Sequence, residues 1–175
     1  MSDPIRVRIA TPEDLRVLEQ ELPLHTPARH RECLVQQAEG RIAYVVAWQS
    51  LRPVGHGLLH WPGPRNAAVA EYLPDCPEIF MLGVPEPLRS RGIGRLLIAR
   101  LEQLAVGRGR RRIGLGVALT NPRARRLYEG LGYRDFGAPH YVDRWHWIDA
   151  SGTDHAEEDP CVFLVKRLVR GAVPA

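Results

Sequence analysis

Hydrophobic and polar residues follow one another with two different periods along this chain, and these periods predict a mixture of strands and helices. Alternation with period two indicates a strand, whereas apolar residues at every third or fourth position indicate a helix. The candidate strands cover residues 5–10, 42–48, 54–61, 78–84, 113–119, 133–136, 141–148 and 162–167. The candidate helices follow residues 11–14, cover about 27–37, and begin at 92 and at 121. Residues 62–77 are expected to be an irregular connection, because they are rich in Pro, Gly and Ala, and residues 149–160 form a polar segment between the last strands.

Composition adds the expectation of one folded domain with a substantial core. The chain has 175 residues, of which 45% are hydrophobic and 25% are charged, so wholesale disorder is excluded. Its three cysteines are widely spaced and form neither a disulfide framework nor a zinc motif. No apolar run approaches the roughly 18 residues that a membrane span needs, and no secretory leader is visible. These features predict a cytoplasmic protein.

The basic residues are almost all arginines, since Lys166 is the one lysine among 24 basic residues. Such a skew is typical of GC-rich coding and does not by itself indicate a ligand. The net charge of +4 permits an anionic partner without requiring one. The densest arginine clusters lie at residues 108–112 and 123–126.

A glycine-containing loop between a predicted strand and a predicted helix is the feature that points to a ligand. It has the sequence Arg89-Ser90-Arg91-Gly92-Ile93-Gly94. The first turn of a helix offers unpaired N–H groups and a partial positive charge, and glycines let an anion approach the backbone. A Walker-type loop is excluded because no Gly-Lys-Ser/Thr is present, and Leu97 replaces the third glycine of a dinucleotide fingerprint. The loop therefore predicts a pyrophosphate site, with a simple packing turn as the alternative.

Three motifs, in this order along the chain, resemble those of the GNAT superfamily of N-acetyltransferases. They are Glu78-Ile-Phe-Met-Leu-Gly-Val84, Arg89-x-x-Gly92-x-Gly94 and Asn121-x-x-Ala124-x-x-x-Tyr128-Glu129-x-Leu131-Gly132-Tyr133. The resemblance implies a single N-acetyltransferase domain over residues 1–175, with its core at about 5–168. It implies an α/β (α+β) fold with a mixed, mostly antiparallel sheet of about seven strands. This sheet is expected to splay between its fourth and fifth strands and to be flanked by about four helices.

The resemblance also implies acetyl-CoA as the cofactor, although it leaves a longer acyl donor open. The pantetheine arm is expected to pair with backbone groups where the sheet splays, and the pyrophosphate to lie on the N–H groups of the loop. Asn121 would both cap its helix and contact the pantetheine, and Arg126 would reach the 3′-phosphate unless it is simply a solvated surface residue. The implied cofactor-binding residues are Leu82, Val84, Arg89, Ser90, Arg91, Gly92, Ile93, Gly94, Arg95, Asn121 and Arg126.

Two residues are candidates for proton transfer. Tyr128 matches the position of the family's general acid, and a phenol with a reference pKa near 10 keeps its proton at neutral pH. Its alternative role is that of a core aromatic residue. Glu78 opens the central strand, where many relatives carry an acid, and is the candidate base, acting directly or through water. Its alternative is a solvent-exposed carboxylate at the strand end. An amine that arrives neutral would need no dedicated base at all.

Aromatic residues near the C-terminal end suggest where an acceptor amine could bind. Tyr141, Trp145 and Trp147 share one strand face with Asp143 by period two, and aromatic rings beside a carboxylate suit an amine cation. A buried face or a dimer contact would explain the same pattern. No metal site is predicted, because four strand residues place His56 and His60 roughly 13 Å apart.

The function expected from the resemblance is direct attack of an amine on the thioester of acetyl-CoA. The acceptor would belong to a small molecule, a peptide or a protein, and its identity stays open at this point, as does the oligomeric state, although homodimers are frequent in the family. The alternatives are a basic nucleic-acid-binding protein, a tRNA-directed acetyltransferase and a catalytically silent acyl-CoA-binding module. The coenzyme motif argues against the first, and the presence of Tyr128 and Asn121 argues against the last.

Overall fold

The computed structural model describes residues 3–22, 24, 28–148 and 152–169, and its frame is one eight-stranded sheet. The strands are β1 (Ile5–Ile9), β2 (Ile42–Gln49), β3 (Arg52–His60), β4 (Glu78–Gly83), β5 (Arg112–Ala118), β6 (Arg134–Asp135), β7 (Tyr141–Ile148) and β8 (Asp154–Arg167). Their order is β1-β2-β3-β4-β5-β8-β6, and β7 pairs with the first half of β8. The β4–β5 pair is parallel, whereas the other pairs are antiparallel.

Helices cover both faces of this sheet. They are α1 (Leu15–Glu21), α2 (Arg29–Ala38), α3 (Ala67–Tyr72), α4 (Ile93–Gly107) and α5 (Pro122–Gly130). Consecutive strand residues point to opposite faces, so Val45 packs with α4 and α5 while Val46 packs with α1 and α2. Phe163 and Val165 form a third cluster with α3, whereas Leu164 packs with α4. We call the two sides the α4 face and the α2 face, the latter carrying α1, α2 and α3. Among the described helices, none is both long and apolar enough to span a bilayer.

The predicted fold class is confirmed, whereas the prediction of an irregular connection at residues 62–77 is wrong and the last strand begins earlier than predicted. Within residues 62–77 the chain forms α3, which begins where the side chain of Asn66 accepts a hydrogen bond from the backbone N–H of Val69 at 3.3 Å. Most of residues 149–160 extends β8 from Asp154 onward, in register with β7. Residues 154–160 are largely exposed on both faces, so this half of β8 lacks the alternation of apolar and polar residues that predicts a strand. The remaining elements differ from prediction mainly at their ends, as when the strand expected at 133–136 shortens to β6.

The irregularity that shapes the molecule lies in β4. Leu58 of β3 pairs with Phe80, whereas His56, two residues earlier, pairs with Gly83, so β4 carries one extra residue. This bulge is at Met81, whose φ of 47° is in the left-handed region. Within the described chain, β4 pairs with β5 only at Glu78 and Ile79. The two parallel strands therefore separate beyond Ile79, which is the splay predicted between the fourth and fifth strands.

Candidate functional site

A cleft of about 530 Å³ lies where β4 and β5 separate, between the start of α4 and α5 on the α4 face. Its volume is in the range of small-molecule sites, about 300–1,000 Å³. The predicted site residues that line it are Leu82, Val84, Arg89, Ser90, Gly92, Ile93, Gly94, Arg95, Asn121 and Tyr128. Arg91 and Arg126 are exposed and lie outside this lining. The cleft thus gathers residues from three segments of the chain around one space.

The loop before α4 has the backbone geometry of an anion site. Ser90 and Gly92 have φ values of 66° and 81°, and Gly92 is the N-cap of α4. A Cβ added at Gly92 would meet no atom within 4 Å, so the loop backbone is open to the cleft at this point. The side chain of Arg89 links the loop to the end of β4, because its Nε donates a hydrogen bond to the carbonyl oxygen of Val84 at 3.1 Å. The first N–H groups of α4 have no partner within the helix and can bind an anion together.

Helix α5 forms the other wall of the cleft. Its N-cap Asn121 accepts a hydrogen bond from the N–H of Ala124 at 3.0 Å, which leaves the side-chain NH₂ group able to donate into the cleft. Arg123 donates to Ser90 Oγ at 2.8 Å and joins α5 to the loop. Sequence reasoning missed Arg123, because three arginines occupy the first turns of α5 and no periodicity distinguishes the one that faces the loop.

Tyr128 lies in the last turn of α5, where it is partly buried and lines the cleft. Its ring meets that of Tyr133 edge to face, with centroids 6.3 Å apart. Burial raises the pKa of the Tyr128 hydroxyl above its usual value, so the phenol stays protonated throughout the neutral range. The arrangement can supply a proton to a group held in the gap between β4 and β5.

Glu78 lies on the α2 face at the start of β4, behind the gap. Only 4% of the residue is exposed, and Oε2 accepts a hydrogen bond from the backbone N–H of Arg65 at 2.6 Å. The Nε atom of Arg65 is 3.5 Å from the same oxygen. Burial raises the pKa of the Glu78 carboxyl above its usual value, and Asp143 raises it further, while Arg65 and His60 oppose the shift. A buried carboxylate with a raised pKa is a stronger base than one in water.

A second cavity of about 620 Å³ lies on the α2 face, between α2, β4 and β7. Met81 borders this cavity, and Leu82, the next residue, borders the cleft, so the two spaces adjoin across the bulged part of β4. Of the residues predicted for an acceptor site, Trp145 lines the cavity together with Asp143. The cleft and this cavity therefore lie on opposite faces of the sheet and meet at β4.

The other two predicted acceptor residues have different positions. Tyr141 packs its hydroxyl against β5, because a Cβ added at Gly116 would be 2.1 Å from the Tyr141 oxygen. The backbone of Trp147 belongs to β7 opposite His155, but its side chain lies outside the described residues. His56 occupies a comparable position beside β4, with its ring 2.4 Å from a Cβ added at Gly83. In the described part of the chain, no group of three or more His, Cys, Asp or Glu residues is placed to hold a metal ion.

Comparison with known proteins identifies the family of this chain. The chain belongs to the acetyltransferase (GNAT) family, whose model matches residues 9–133, so the resemblance given by the three motifs is confirmed. A stretch of 57 residues is 37% identical to the uncharacterized N-acetyltransferase YycN of Bacillus subtilis (strain 168). That stretch covers 33% of this chain and 36% of the Bacillus protein, so the match spans about a third of this relative.

Solved structures agree in fold. The chain is similar to Arabidopsis thaliana NAA60 in complex with acetyl-CoA, with a TM-score of 0.65, 21% identity and coverage of 94% of this chain and 99% of that one. It is also similar to the ribosomal-protein-S18-alanine N-acetyltransferase from Escherichia coli. That match has a TM-score of 0.63, 17% identity and coverage of 98% of this chain and 99% of that chain. Identities this low establish the architecture alone.

Proposed function

We propose that this protein is an N-acetyltransferase that moves the acetyl group of acetyl-CoA to an amine of a small molecule, peptide or protein. The observation that carries the proposal is the cleft in which the open loop of α4, the separated edge of β4 and the hydroxyl-bearing face of α5 converge. One thioester-bearing ligand would use all three: phosphates on the loop, an amide-containing arm along β4 and the sulfur near Tyr128.

The residues present fit the coenzyme on structural grounds. The left-handed backbone at Gly92 and the first turn of α4 offer N–H groups for the pyrophosphate. Beyond Ile79, β4 is no longer paired with β5 in the described chain, so the backbone of Leu82 and Val84 can pair with the pantetheine amides. Asn121 would donate its NH₂ group to the same arm. Arg123, which already contacts Ser90, is better placed than Arg126 to reach a phosphate.

The reaction requires one bond to form and one to break. The amine nitrogen attacks the thioester carbon, the carbon–sulfur bond breaks, and the sulfur takes the proton of the Tyr128 hydroxyl. The proton lost by the attacking nitrogen passes to Glu78, through water because the carboxylate is almost fully buried and bound to Arg65. The amine would approach from the α2 face, where Trp145 and Asp143 border the second cavity. Positioning of the two reactants supplies the larger part of the rate.

Acetyl-CoA titration by calorimetry tests the proposal with a matched pair of variants. Gly92→Asp introduces a carboxylate where the pyrophosphate would lie. Gly40→Asp makes the same change at another left-handed glycine, in the turn between α2 and β2 and away from the cleft. Gly40 has a φ of 74°, and a Cβ added there would also meet no atom within 4 Å. We expect Gly92→Asp to abolish binding and Gly40→Asp to leave the affinity unchanged. Because both substitutions carry the same backbone strain, a difference between them reports on the position of the carboxylate. Equal affinities in the two variants and the wild type would contradict the assignment of the loop.

A further inference from the structure

A groove of about 670 Å³ lies at the end of the sheet remote from the cleft. It is formed by the loop before β4, the start of β5, the end of β8 and Phe136 after β6. Its basic lining consists of Arg110, Arg111, Arg112 and Arg167. Helix α4 begins at the cleft and ends just before this arginine cluster, and its 15 residues separate the two sites by about 22 Å. The groove is therefore independent of the proposed acetyl-CoA site.

Two of these arginines face each other across paired strands. Arg112 of β5 is the direct antiparallel partner of Arg167 of β8. Directly opposed residues have Cβ atoms about 4.5–5.5 Å apart, and like charges at that spacing destabilise the pair. The guanidinium of Arg112 donates to the carbonyl oxygen of Pro74, which holds it in place. An anion between the two guanidinium groups would convert this repulsion into two attractive contacts.

The neighbouring charges leave the groove strongly positive. Arg110 lies 3.7 Å from Asp75, whose side chain is 87% exposed and therefore well screened by water. The described residues that line the groove carry one carboxylate, that of Asp75, and four guanidinium groups. Planar guanidinium groups bind phosphate in a bidentate manner, which an ammonium group cannot do. The charge pattern thus favours a phosphate-bearing ligand.

One exposed aromatic ring lies in the same groove. Phe136 is 40% exposed, and the guanidinium of Arg167 lies 5.7 Å from its ring centroid. Its backbone is held where the hydroxyl of Tyr72 donates to its carbonyl oxygen at 3.3 Å. An inorganic anion would gain nothing from this ring, whereas a nucleobase can stack on it.

We propose that this groove binds the phosphate of a nucleotide, with Arg112 and Arg167 on the phosphate and the base stacked on Phe136. The nucleotide can be free or part of a single-stranded nucleic acid, since both present the same phosphate and base. A groove of 670 Å³ has room for one or two nucleotides. This ligand is separate from the coenzyme of the proposed transfer reaction.

The test measures binding of AMP by calorimetry and of fluorescein-labelled hexaadenylate by anisotropy, at 50 mM salt. The groove variant is Arg112→Gln with Arg167→Gln, and the control is Arg16→Gln with Arg31→Gln, two exposed arginines of α1 and α2. Both remove two positive charges. We expect the groove variant to bind either probe at least tenfold more weakly, and the control to stay within twofold of the wild type. Equal losses in the two variants, or no binding of either probe to the wild type at 1 mM, would overturn the proposal.

Further arms separate the ring, the ligand source and the fold. Phe136→Leu should weaken AMP binding about threefold or more without changing the affinity for inorganic phosphate, and equal effects on both would refute the stacked base. Tighter binding of hexaadenylate than of AMP assigns the site to single-stranded nucleic acid, and equal binding assigns it to a free nucleotide. AMP must still bind to Gly92→Asp, because loss there would move the ligand to the cleft.

Stability gives an independent readout of the opposed arginines. Arg167→Gln alone should leave the Tm of the ligand-free protein unchanged or raise it by about 1–3 °C, because it relieves the repulsion with Arg112. The same substitution should abolish the rise in Tm that AMP gives the wild type. A fall in Tm of several degrees without ligand would show that the arginine pair is structural and would sink the proposal.

Discussion

Replacing Tyr128 by Phe separates the proposed chemistry of this residue from its packing. Phe keeps the ring, its edge-to-face contact with Tyr133 and its position in the core beneath the cleft. The free energy of unfolding should therefore change by less than about 1 kcal/mol, within the usual range for a substitution that leaves packing intact. General acid catalysis contributes about 10²–10⁴-fold. We expect kcat to fall at least tenfold while the KM for acetyl-CoA stays nearly constant.

Tyr133→Phe is the matched control for this experiment. The hydroxyl of Tyr133 points away from the cleft and donates to Glu102 at 2.9 Å, where Lys166 also binds at 2.7 Å. Loss of this hydrogen bond to a carboxylate should cost about 1.5–3 kcal/mol of stability and leave kcat unchanged. The assay follows release of free coenzyme thiol at saturating acetyl-CoA, after a pre-steady-state trace without a burst shows that chemistry limits the rate. Wild-type kcat in Tyr128→Phe under those conditions would refute the acid role.

Three further tests concern other residues of the site and its surroundings. Glu78→Gln should lower kcat/KM at neutral pH, with recovery at high pH where the amine is neutral. Stability gives a second readout. Because the pKa of Glu78 is raised in the folded state, the stability of the wild type relative to this variant should decrease as the pH rises from about 4.5 through that pKa. A pH profile identical to wild type would assign the proton to solvent. Asn121→Ala and Asn66→Ala each remove a helix cap worth about 1 kcal/mol, but only the former should weaken acetyl-CoA binding. Gly116→Ala should destabilise the protein by about 1–3 kcal/mol, because the new Cβ would lie 2.1 Å from the Tyr141 oxygen. Adding Tyr141→Phe should restore most of that stability, since the nearest ring carbon would be 3.4 Å from the Cβ. Additive effects of the two substitutions would exclude this contact.

The parts of the site that sequence could predict are those that depend on neighbours along the chain. The loop at 89–94 is recognisable because a strand precedes it, a helix follows it, and glycine is needed where the backbone turns left-handed at residue 92. The start of α5 is equally local, with Asn121 before Pro122. The period-two pattern likewise predicts Tyr141–Ile148 with both ends correct.

The features that sequence could not predict depend on contacts between distant segments. The bulge falls at Met81, a residue with no preference for positive φ, and follows from pairing with β3. The Arg65–Glu78 contact joins a loop to a strand 13 residues away. Arg123, and not Arg126, contacts the loop because of how α5 packs against it. The sequence, with arginines at 123, 125 and 126, does not reveal which of them faces the loop.

The gap between β4 and β5 is bordered on the α2 face by two glycines whose neighbouring rings fill the place of a side chain. His56 pairs with Gly83, so its ring leans over β4, and Tyr141 reaches Gly116 on β5. Glu78 pairs with Gly114, and strand alternation places Gly116 on the same face as Glu78. A larger residue at Gly83 would have to displace the His56 ring, and one at Gly116 would have to displace the Tyr141 ring, which lies on the same face as the candidate base. In the proposed reaction the amine would therefore reach the thioester past Gly83 and Gly116, where rings from β3 and β7 occupy the place of a side chain.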